Sequence, residues 1–511
     1  MKKRALISVF NKENICEFAK KLDKLGYEII STGGTSKKLK KAVINVVAVD
    51  KVTNFPEMMN GRVKTLHPKI HAGILCDRNN PQHLREIEKQ NIDLIDIVVV
   101  NLYPFEKTID NPDSTHKEII ENIDIGGPTL IRAAAKNYNH TTVVTDNQDF
   151  EKIIIELESK GKTKLETRKK LAIKAFQHTA HYDSLISNFF NRKKTINQKE
   201  KFQLSIHKKS ELRYGENPHQ SAALFENQTD KFFTKLHGKR LSYNNYLDIE
   251  AALLIIKRFQ KPTAVIIKHL NPCGIGTDDN LITAYKKAFS TDTMSPFGGI
   301  VIVNRNLDLE TANEINKIFT EIIIAPEYSE EALKKLKKKK KRRLLKYNPE
   351  KLEKELSKTE CRSFLNGILA QTRDIMPEQQ SEWEIPTKRS PTSDEMQALQ
   401  FAWKTVTVLK SNAVCFTNKN ETLGLGMGQP SRIDSTEIAV KKSEKFKQNL
   451  QEAVCASDAF FPFRDSIDSI AKLGVKAVIQ PGGSKRDKEV IQACDEHNIA
   501  MVFTGKRHFK H

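Results

Sequence analysis

Short runs of β-branched and other apolar residues punctuate the first 190 residues at Ala5 to Val9, Tyr27 to Ile30, Val46 to Val49, Ile97 to Val100 and Thr142 to Val144. Polar residues bound each run, and the intervals leave room for crossover helices, which predicts a parallel α/β sheet. After the first run, Ile15, Phe18, Ala19, Leu22 and Leu25 recur at helical spacing, and Gly26 closes that helix. A last helix over about 167–190 runs into the polar stretch Asn191 to Glu200, where only Ile196 is strongly apolar. That break predicts a first domain over 1–195 and a second region over 196–511.

The second region again mixes strands, at Ala264 to Ile267, Ile300 to Val303, Ala413 to Phe416, Ala477 to Ile479 and Ala500 to Phe503, with helices. From Asp394 to Leu409, the residues Met396, Leu399, Ala402, Trp403, Val406 and Leu409 fall on one helical face, as core packing requires. A faint echo links two parts of the region. Ala264-Val265 and Ala413-Val414 each open a strand that leads within about a dozen residues to Gly-x-Gly, at Gly274 to Gly276 and Gly424 to Gly426. The echo predicts two similar halves dividing near 350–390.

Length and composition narrow the class. The 511 residues exceed what one core spans. With 39% hydrophobic residues and a mean hydropathy of −0.50, the chain has the material for buried cores. No apolar run approaches the ~20 residues of a membrane span, and Ala5 to Phe10 is too short for a secretory signal. Seven cysteines, none within 39 residues of another, fit reduced thiols in a cytoplasmic protein. The net charge of +21 would suit nucleic acid or small anions. Nine of the ten residues from Lys334 to Arg343 are basic, however, leaving +12 on the rest. That run reads as a solvated face, since no aromatic residue interrupts it as a nucleic-acid stacking platform would need.

Several familiar signatures fail. Gly424-Leu425-Gly426-Met427-Gly428 has the wrong spacing for a dinucleotide loop, and no P-loop occurs. Pro68 stands between His67 and His71 where a zinc protease has its glutamate, and Gly276 replaces the second cysteine of a zinc deaminase after Pro272-Cys273. No metal is expected. Other strings carry more. In Ser31-Thr32-Gly33-Gly34-Thr35, backbone N–H groups and a helix N-terminus can converge on a phosphate, or the glycines simply make a capped turn. Arg62 and Lys64 project to one side of an extended segment, a grip for an anion beside a cation for an oxyanion, unless they are only a basic loop. Asp124 precedes a helix that returns Lys136, so the two could form a general acid/base pair if the fold joins them; the plain alternative is a helix cap. Lys268-His269 lies at the carboxyl end of a strand, where open α/β sheets place ligands. The strings from Arg213 to Gln220, Ser295 to Gly299 and Ser457 to Asp465 look like shaped loops around a flat ligand, or well-packed connectors.

Together these strings resemble one family over essentially the whole chain, the bifunctional purine-synthesis enzymes that join AICAR formyltransferase to IMP cyclohydrolase. Ser-Thr-Gly-Gly-Thr, Gly-Arg-Val-Lys-Thr-Leu-His-Pro, Arg-Tyr-Gly-Glu-Asn-Pro-His-Gln and Lys-His-Leu-Asn-Pro-Cys-Gly occur in the family's order. The resemblance implies an N-terminal methylglyoxal-synthase-like α/β domain that closes FAICAR to IMP, followed by a transformylase of two cytidine-deaminase-like halves without the metal. In the first domain it assigns Lys12, Ser31, Thr32, Gly33, Gly34 and Thr35 to the 5′-phosphate, and Arg62 and Lys64 to the carboxamide and formyl oxygens. Tyr103, Asp124 and Lys136 would serve proton transfer. In the transformylase it assigns His269 as base on the AICAR amine, Lys268 to the tetrahedral oxygen or folate N10, and Asn412 as orienting amide. Arg213, Tyr214, Asn245, Gly298, Glu321, Arg507 and Phe509 would contact nucleotide, with Phe460 and Asp465 on the folate side. The co-substrate implied is 10-formyltetrahydrofolate, in a cytoplasmic homodimer with neither membrane nor nucleic-acid partner. Where the family usually reads Ser-Asp-Lys, this chain has Phe10-Asn11-Lys12, and its Lys334 to Arg343 run is more basic than the family's, which reads as compositional drift in preference to a funnel for polyglutamylated folate. The alternative class is an inactive nucleotide- or RNA-binding scaffold.

Overall fold

The computed structural model describes residues 2–226, 232–375 and 380–511. The chain divides into two compact units, Met1–Ile206 and His207–His511. In the first, β1 (Lys3–Val9), β2 (Tyr27–Ser31), β3 (Val46–Ala48), β4 (Ile97–Asn101) and β5 (Thr142–Val144) form one sheet in the order β3-β2-β1-β4-β5. All four pairings are parallel. Helices cover both faces, so the central strands are apolar throughout: Ala5, Leu6, Ile7 and Ile97 to Val100 are all buried. Successive strands are added outward on one side from β1 to β3 and on the other from β4 to β5, and this switch between β1 and β4 opens a crevice at their carboxyl ends. The unit ends eleven residues past the polar break at 195. The segment beyond the Leu165–Phe190 helix folds back on it, with Ser205 Oγ 2.8 Å from His181 Nδ1 and Asn188 Nδ2 donating to Gln203 O at 3.4 Å.

The second unit opens with a two-stranded ribbon, β6 (His207–Glu211) and β7 (Ala223–Glu226). β8 (Phe233–His237), β9 (Thr263–Lys268), β10 (Asn271–Thr277), β11 (Ile300–Val303), β12 (Ile322–Ala325) and β13 (Arg343–Tyr347) then form a sheet ordered β10-β9-β11-β12-β13-β8. A hairpin, β14 (Thr359–Phe364) and β15 (Gly367–Thr372), leads to β16 (Val414–Thr417), β17 (Thr422–Gly426), β18 (Val454–Ser457), β19 (Ala477–Gln480) and β20 (Ala500–Phe503). These last five are ordered β17-β16-β18-β19-β20. β10-β9-β11-β12-β13 and β17-β16-β18-β19-β20 share order and direction: an antiparallel hairpin, an antiparallel third strand, then two parallel strands. The Gly-x-Gly echo falls in β10 and β17. A Cβ on Gly276 would lie 2.3 Å from Ala284 O, and one on Gly426 1.7 Å from Ser435 O. These glycines let the Leu281–Ser290 and Arg432–Lys445 helices press onto their strands, a packing role unrelated to nucleotide phosphate. β10 and β17 meet through an antiparallel bridge between Gly276 and Glu421, flanked by the Ile275 N–H bond to Thr422 Oγ1 at 2.9 Å.

Candidate functional site

At the switch point of the first sheet, the Asn101 carboxamide spans the crevice. Its oxygen accepts from the N–H groups of Phe10 and Asn11 at 2.7 and 3.0 Å, and its nitrogen donates to Asn11 O at 3.0 Å. This clasp fixes the turn that carries Lys12. The Lys12 side chain lies beside Gly34, with Nζ 4.0 Å from where a Cβ would stand there and 3.1 Å from Phe10 O. Gly33, at φ 45°, starts the Gly33–Lys41 helix. The hydroxyls of the phosphate-loop string are partly committed. Ser31 Oγ donates to Ile7 O at 2.7 Å, and Thr35 Oγ1 donates to Val9 O at 2.9 Å while accepting from Val9 N at 3.2 Å. Thr32 Oγ1 lies 3.4 Å from Ser8 Oγ. What remains for an anion is the helix N-terminus and the Lys12 ammonium.

Phe10, the residue that departs from the family pattern, packs edge-on against Tyr103 with ring centroids 5.5 Å apart. Asp124 sits just beyond. Its Oδ1 accepts from Gly127 N at 2.8 Å, and its own N–H donates to Tyr182 Oη at 2.8 Å. A Cβ on Gly127 would lie 2.5 Å from Asp124 Oδ2, so only glycine admits the carboxylate here. Burial is the dominant influence on Asp124 and pushes its carboxyl above the ordinary 3.8. The N–H of Gly127, the Lys64 ammonium and the N–H of Tyr103 pull it part of the way back. Lys64, Tyr103 and Asp124 therefore share one locality, and Thr65 Oγ1 approaches to 2.8 Å of a Cβ position on Gly126. Arg62 is exposed and held by Glu121, Nε to Oε2 at 3.3 Å and Nη2 to Oε1, so a substrate would have to displace that pair. Lys136 is not brought to Asp124. It ends the Gly126–Lys136 helix, at whose start Asp124 accepts from the Gly127 N–H, and ten steps of about 1.5 Å set the two helix ends roughly 15 Å apart along the axis. The acid/base pair that the sequence allowed if the fold joined them is not formed, and Asp124 takes the alternative role at the start of the helix.

In the second unit, the chain turns at the carboxyl end of β9 through His269 (φ 54°) and Leu270 (φ 67°), two successive left-handed residues without glycine. Asp248, on the Tyr243–Ile256 helix, holds that turn: its Oδ1 accepts from Leu270 N at 2.7 Å. Burial raises the Asp248 carboxyl, while the Leu270 N–H and the charge of His269 lower it in part. Lys268 Nζ donates to Phe297 O at 2.8 Å, beside Gly298, whose N–H donates to Phe319 O at 2.7 Å. Along the same edge, Glu321 Oε1 accepts from Asn245 Nδ2 at 3.2 Å and from Arg343 Nη1 at 2.7 Å. The loop bearing Arg213 and Tyr214, stacked with 5.4 Å between guanidinium and ring, joins through Glu216 O, which accepts from Asn244 Nδ2 at 3.3 Å. Lys268, His269, Gly298, Glu321, Asn245 and the Arg213 loop thus belong to one edge.

Asn412 stands at the other end of its half, before β16. Its amide is fully engaged, with Nδ2 donating to Gln429 O and Pro430 O at 2.9 Å each and Oδ1 accepting from Arg432 Nη2 at 3.0 Å. Arg432 also pairs with Asp458 at 2.8 Å, and the Asp458 carboxylate is 0% exposed. Arg432 Nη1 donates to Phe460 O at 3.0 Å, and the C-terminal residues join through His508 N to Asp458 O at 3.0 Å. Arg507 stacks on Phe509 at 4.7 Å, and Asp465 is exposed at the start of the next helix. Because β10 and β17 run antiparallel where they meet, the His269 turn and the Asn412 end point the same way. No hydrogen bond or ion pair joins the two clusters among the described residues.

Sequence reasoning passed over Asp248, Arg432, Tyr182 and Asn101, whose roles depend on partners 20 to 90 residues away. Only Asp458, inside a string already singled out, gave any signal. Among the described residues, no group of three or more His, Cys, Asp or Glu side chains is placed to hold a metal ion, and no helix is long and apolar enough to cross a membrane.

Residues 14–129 match the family model of the MGS-like domain, and residues 134–442 that of the AICARFT/IMPCHase bienzyme. The chain is 50% identical over 520 residues to the bifunctional purine biosynthesis protein PurH of Persephonella marina, and 50% identical over 515 residues to that of Lactobacillus acidophilus. A third relative of that name, from Lactococcus lactis subsp. cremoris, is 50% identical over 519 residues, and each comparison covers 100% of both chains. These relatives and family models, on a two-unit fold, define a two-part purine-synthesis enzyme with an MGS-like first domain. The chain belongs to the PurH family of AICARFT/IMPCHase bienzymes. The scaffold alternative finds no support among these relatives.

Proposed function

We propose that the chain carries out two successive reactions, one on each unit. On the second unit, the 5-amino nitrogen of AICAR attacks the formyl carbon of 10-formyltetrahydrofolate. The amine proton leaves to His269, the bond from carbon to N10 breaks, N10 takes up a proton, and FAICAR and tetrahydrofolate result. That amine is conjugated into an imidazole carboxamide, so it becomes nucleophilic only as its proton departs, the task of a base with pKa near neutrality. Lys268 stabilises the tetrahedral oxygen or protonates N10. Asn412, with its amide locked by Arg432, Gln429 and Pro430, orients the substrate carboxamide through the geometry of its turn. On the first unit, the carboxamide nitrogen of FAICAR attacks the formyl carbon and water is lost to give IMP. Lys64 stabilises the oxyanion, and Tyr103 and Asp124 move protons.

The observation that supports this reading is the left-handed His269-Leu270 turn braced by Asp248, with His269 and Lys268 at the sheet edge that gathers Gly298, Glu321 and Asn245. The chain acts as a homodimer, as the resemblance implies, in which each subunit completes the other's transformylase site. It would act in the cytoplasm. Lys136 keeps a part in proton transfer only if another subunit or a bound substrate brings it near. The test is direct: AICAR and 10-formyltetrahydrofolate should yield IMP, His269→Ala should block FAICAR formation while leaving supplied FAICAR convertible, and a protein that binds RNA yet makes no IMP would refute the proposal.

A further inference from the structure

Two buried charges anchor the edge where Lys268 stands. Arg342 is 1% exposed, although it belongs to the basic run expected to be solvated, and donates to Thr320 O and Asn316 Oδ1 at 3.1 and 2.8 Å. Asp292, 3% exposed, lies nearer the reacting groups, on the loop between the Leu281–Ser290 helix and β11. No step of the proposed reaction uses it. A carboxylate is tolerated in the interior only where donors take up its lone pairs, and Asp292 finds three on two residues of its own loop. Its Oδ1 accepts from Met294 N and Ser295 N at 3.0 and 2.8 Å, and its Oδ2 from Ser295 Oγ at 2.6 Å. The other half of the unit fixes where this fold begins: Thr291 Oγ1 donates to Thr422 O at 2.7 Å, Gln448 Nε2 donates to Ser290 O at 2.7 Å, and Lys442 Nζ stands 3.9 Å from Asp292 Oδ2.

The far end of the same loop holds Lys268. Phe297 O accepts from Lys268 Nζ at 2.8 Å and is the one protein acceptor of that ammonium among the described residues. Beside it, Gly299 N donates to Pro296 O at 2.9 Å, and a Cβ on Gly299 would lie 2.7 Å from Ile267 O, so the loop lies directly against the end of β9. An ammonium on a flexible four-carbon stem has no fixed place of its own, and a carbonyl held in a braced loop gives it one. One of its N–H bonds is spent there and the others remain for substrate. The Cys273 thiol shares the locality. Burial first and the Asp292 charge second push it up to about 12, so it stays neutral and leaves the Lys268 charge to the carbonyl and the substrate.

We infer that Asp292 is a positioning residue for formyl transfer: by folding the loop it holds the Phe297 carbonyl, and through that carbonyl the Lys268 ammonium, where charge develops. This rests on the reading of Lys268 as the cation at the tetrahedral oxygen or N10. The test is a double-mutant cycle on the full chain, read as kcat for tetrahydrofolate release. Asp292→Ala should lower kcat about ten- to hundredfold, the scale of a misplacement of about 1 Å, and in a Lys268→Ala background it should change kcat by less than about twofold, because the group it places is gone. Asp292→Asn keeps an acceptor for the two backbone N–H groups and should stay within about threefold of the parent. Should Asp292→Ala fail to fold, Ser295→Ala removes only the 2.6 Å bond and carries the same cycle, with a fall of about threefold expected in the parent and none beside Lys268→Ala. An equal fall in both backgrounds, as a purely structural role would give, overturns the inference. So does a kcat for Asp292→Ala within about twofold of the parent, or an Asp292→Asn as slow as Asp292→Ala. Unchanged kcat in Lys268→Ala alone would instead overturn the reading on which the inference rests.

Discussion

Asp248 touches no substrate in the proposed reaction, yet its removal should disable formyl transfer. His269 and Leu270 both adopt the left-handed region, which for non-glycine residues costs roughly 1–2 kcal/mol each. The Asp248 carboxylate offsets that cost through its 2.7 Å bond from Leu270 N, and a hydrogen bond to a charged group contributes about 1.5–3 kcal/mol. With Asp248→Ala, the turn loses this support and the imidazole leaves its productive position for most of the time. At about 1.4 kcal/mol per decade, the expected fall in kcat is roughly ten- to hundredfold, with the KM for AICAR changed little. Asp248→Asn keeps an acceptor without the charge and should lose less. Adding Leu270→Gly to Asp248→Ala, which relieves the left-handed penalty at one position, should recover up to about tenfold. The assay is tetrahydrofolate release from AICAR and 10-formyltetrahydrofolate, with conversion of supplied FAICAR as an internal control for the first unit. A kcat within about twofold of the parent in Asp248→Ala, or failure of the glycine to recover any activity, would refute the argument that the turn depends on this carboxylate.

Lys64→Ala should slow ring closure about a hundredfold or more while formyl transfer continues, so FAICAR accumulates in a coupled assay. Ring closure should fail as pH drops through a value above 3.8, because burial raises the Asp124 carboxyl and its ionised form is the base. The same shift means that the folded protein holds this proton more tightly than the unfolded chain. Its contribution to stability is therefore full below the ordinary value and is lost as pH rises through the raised one, so Asp124→Asn should flatten both the pH–rate and the pH–stability profiles. Arg432→Met should destabilise the second unit by about 3–5 kcal/mol, since it strands the buried Asp458 carboxylate. Thermal unfolding should show this as a lowered transition, with FAICAR closure retained at temperatures where formyl transfer is lost.

In the first sheet the parallel strands were legible as short β-branched runs, as at Ile97 to Val100, whereas β12 and β18 of the second unit, parallel-paired and just as buried, went unread; helical periodicity located the Leu165–Phe190 helix to within two residues. The exposed strands of the second unit went unread too. β8 and the β14–β15 hairpin are largely exposed, so their composition carries no alternation that separates them from loop. In the same way, Lys64, Asp124, Lys268 and His269 stood out because each belongs to a dense polar string. Asp248 lies in an ordinary helix and Arg432 directly after the Ser431 helix cap, and only folding shows what they hold. Asp124 and Lys136, a pair only if the fold joined them, are held apart by the helix between them, and the plain alternative of a helix-start acceptor for Asp124 is what the fold provides.

The antiparallel meeting of β10 and β17 has a consequence for how a duplicated fold can diverge. Joining two equal sheets edge to edge in this sense reverses the polarity of the second copy, so a single rim displays strand starts from one copy and strand finishes from the other. The residues on that rim have no counterparts in the repeat: the equivalent of the His269 turn in the second copy is the Asn418 to Glu421 turn, where the N–H of Thr277 donates to Asn420 O at 2.7 Å. One copy's reactive corner is thus the other copy's joint. Each copy was free to specialise its outer corner, and the memory of duplication survives where both must still satisfy the same steric demand, in the paired glycines beneath their helices.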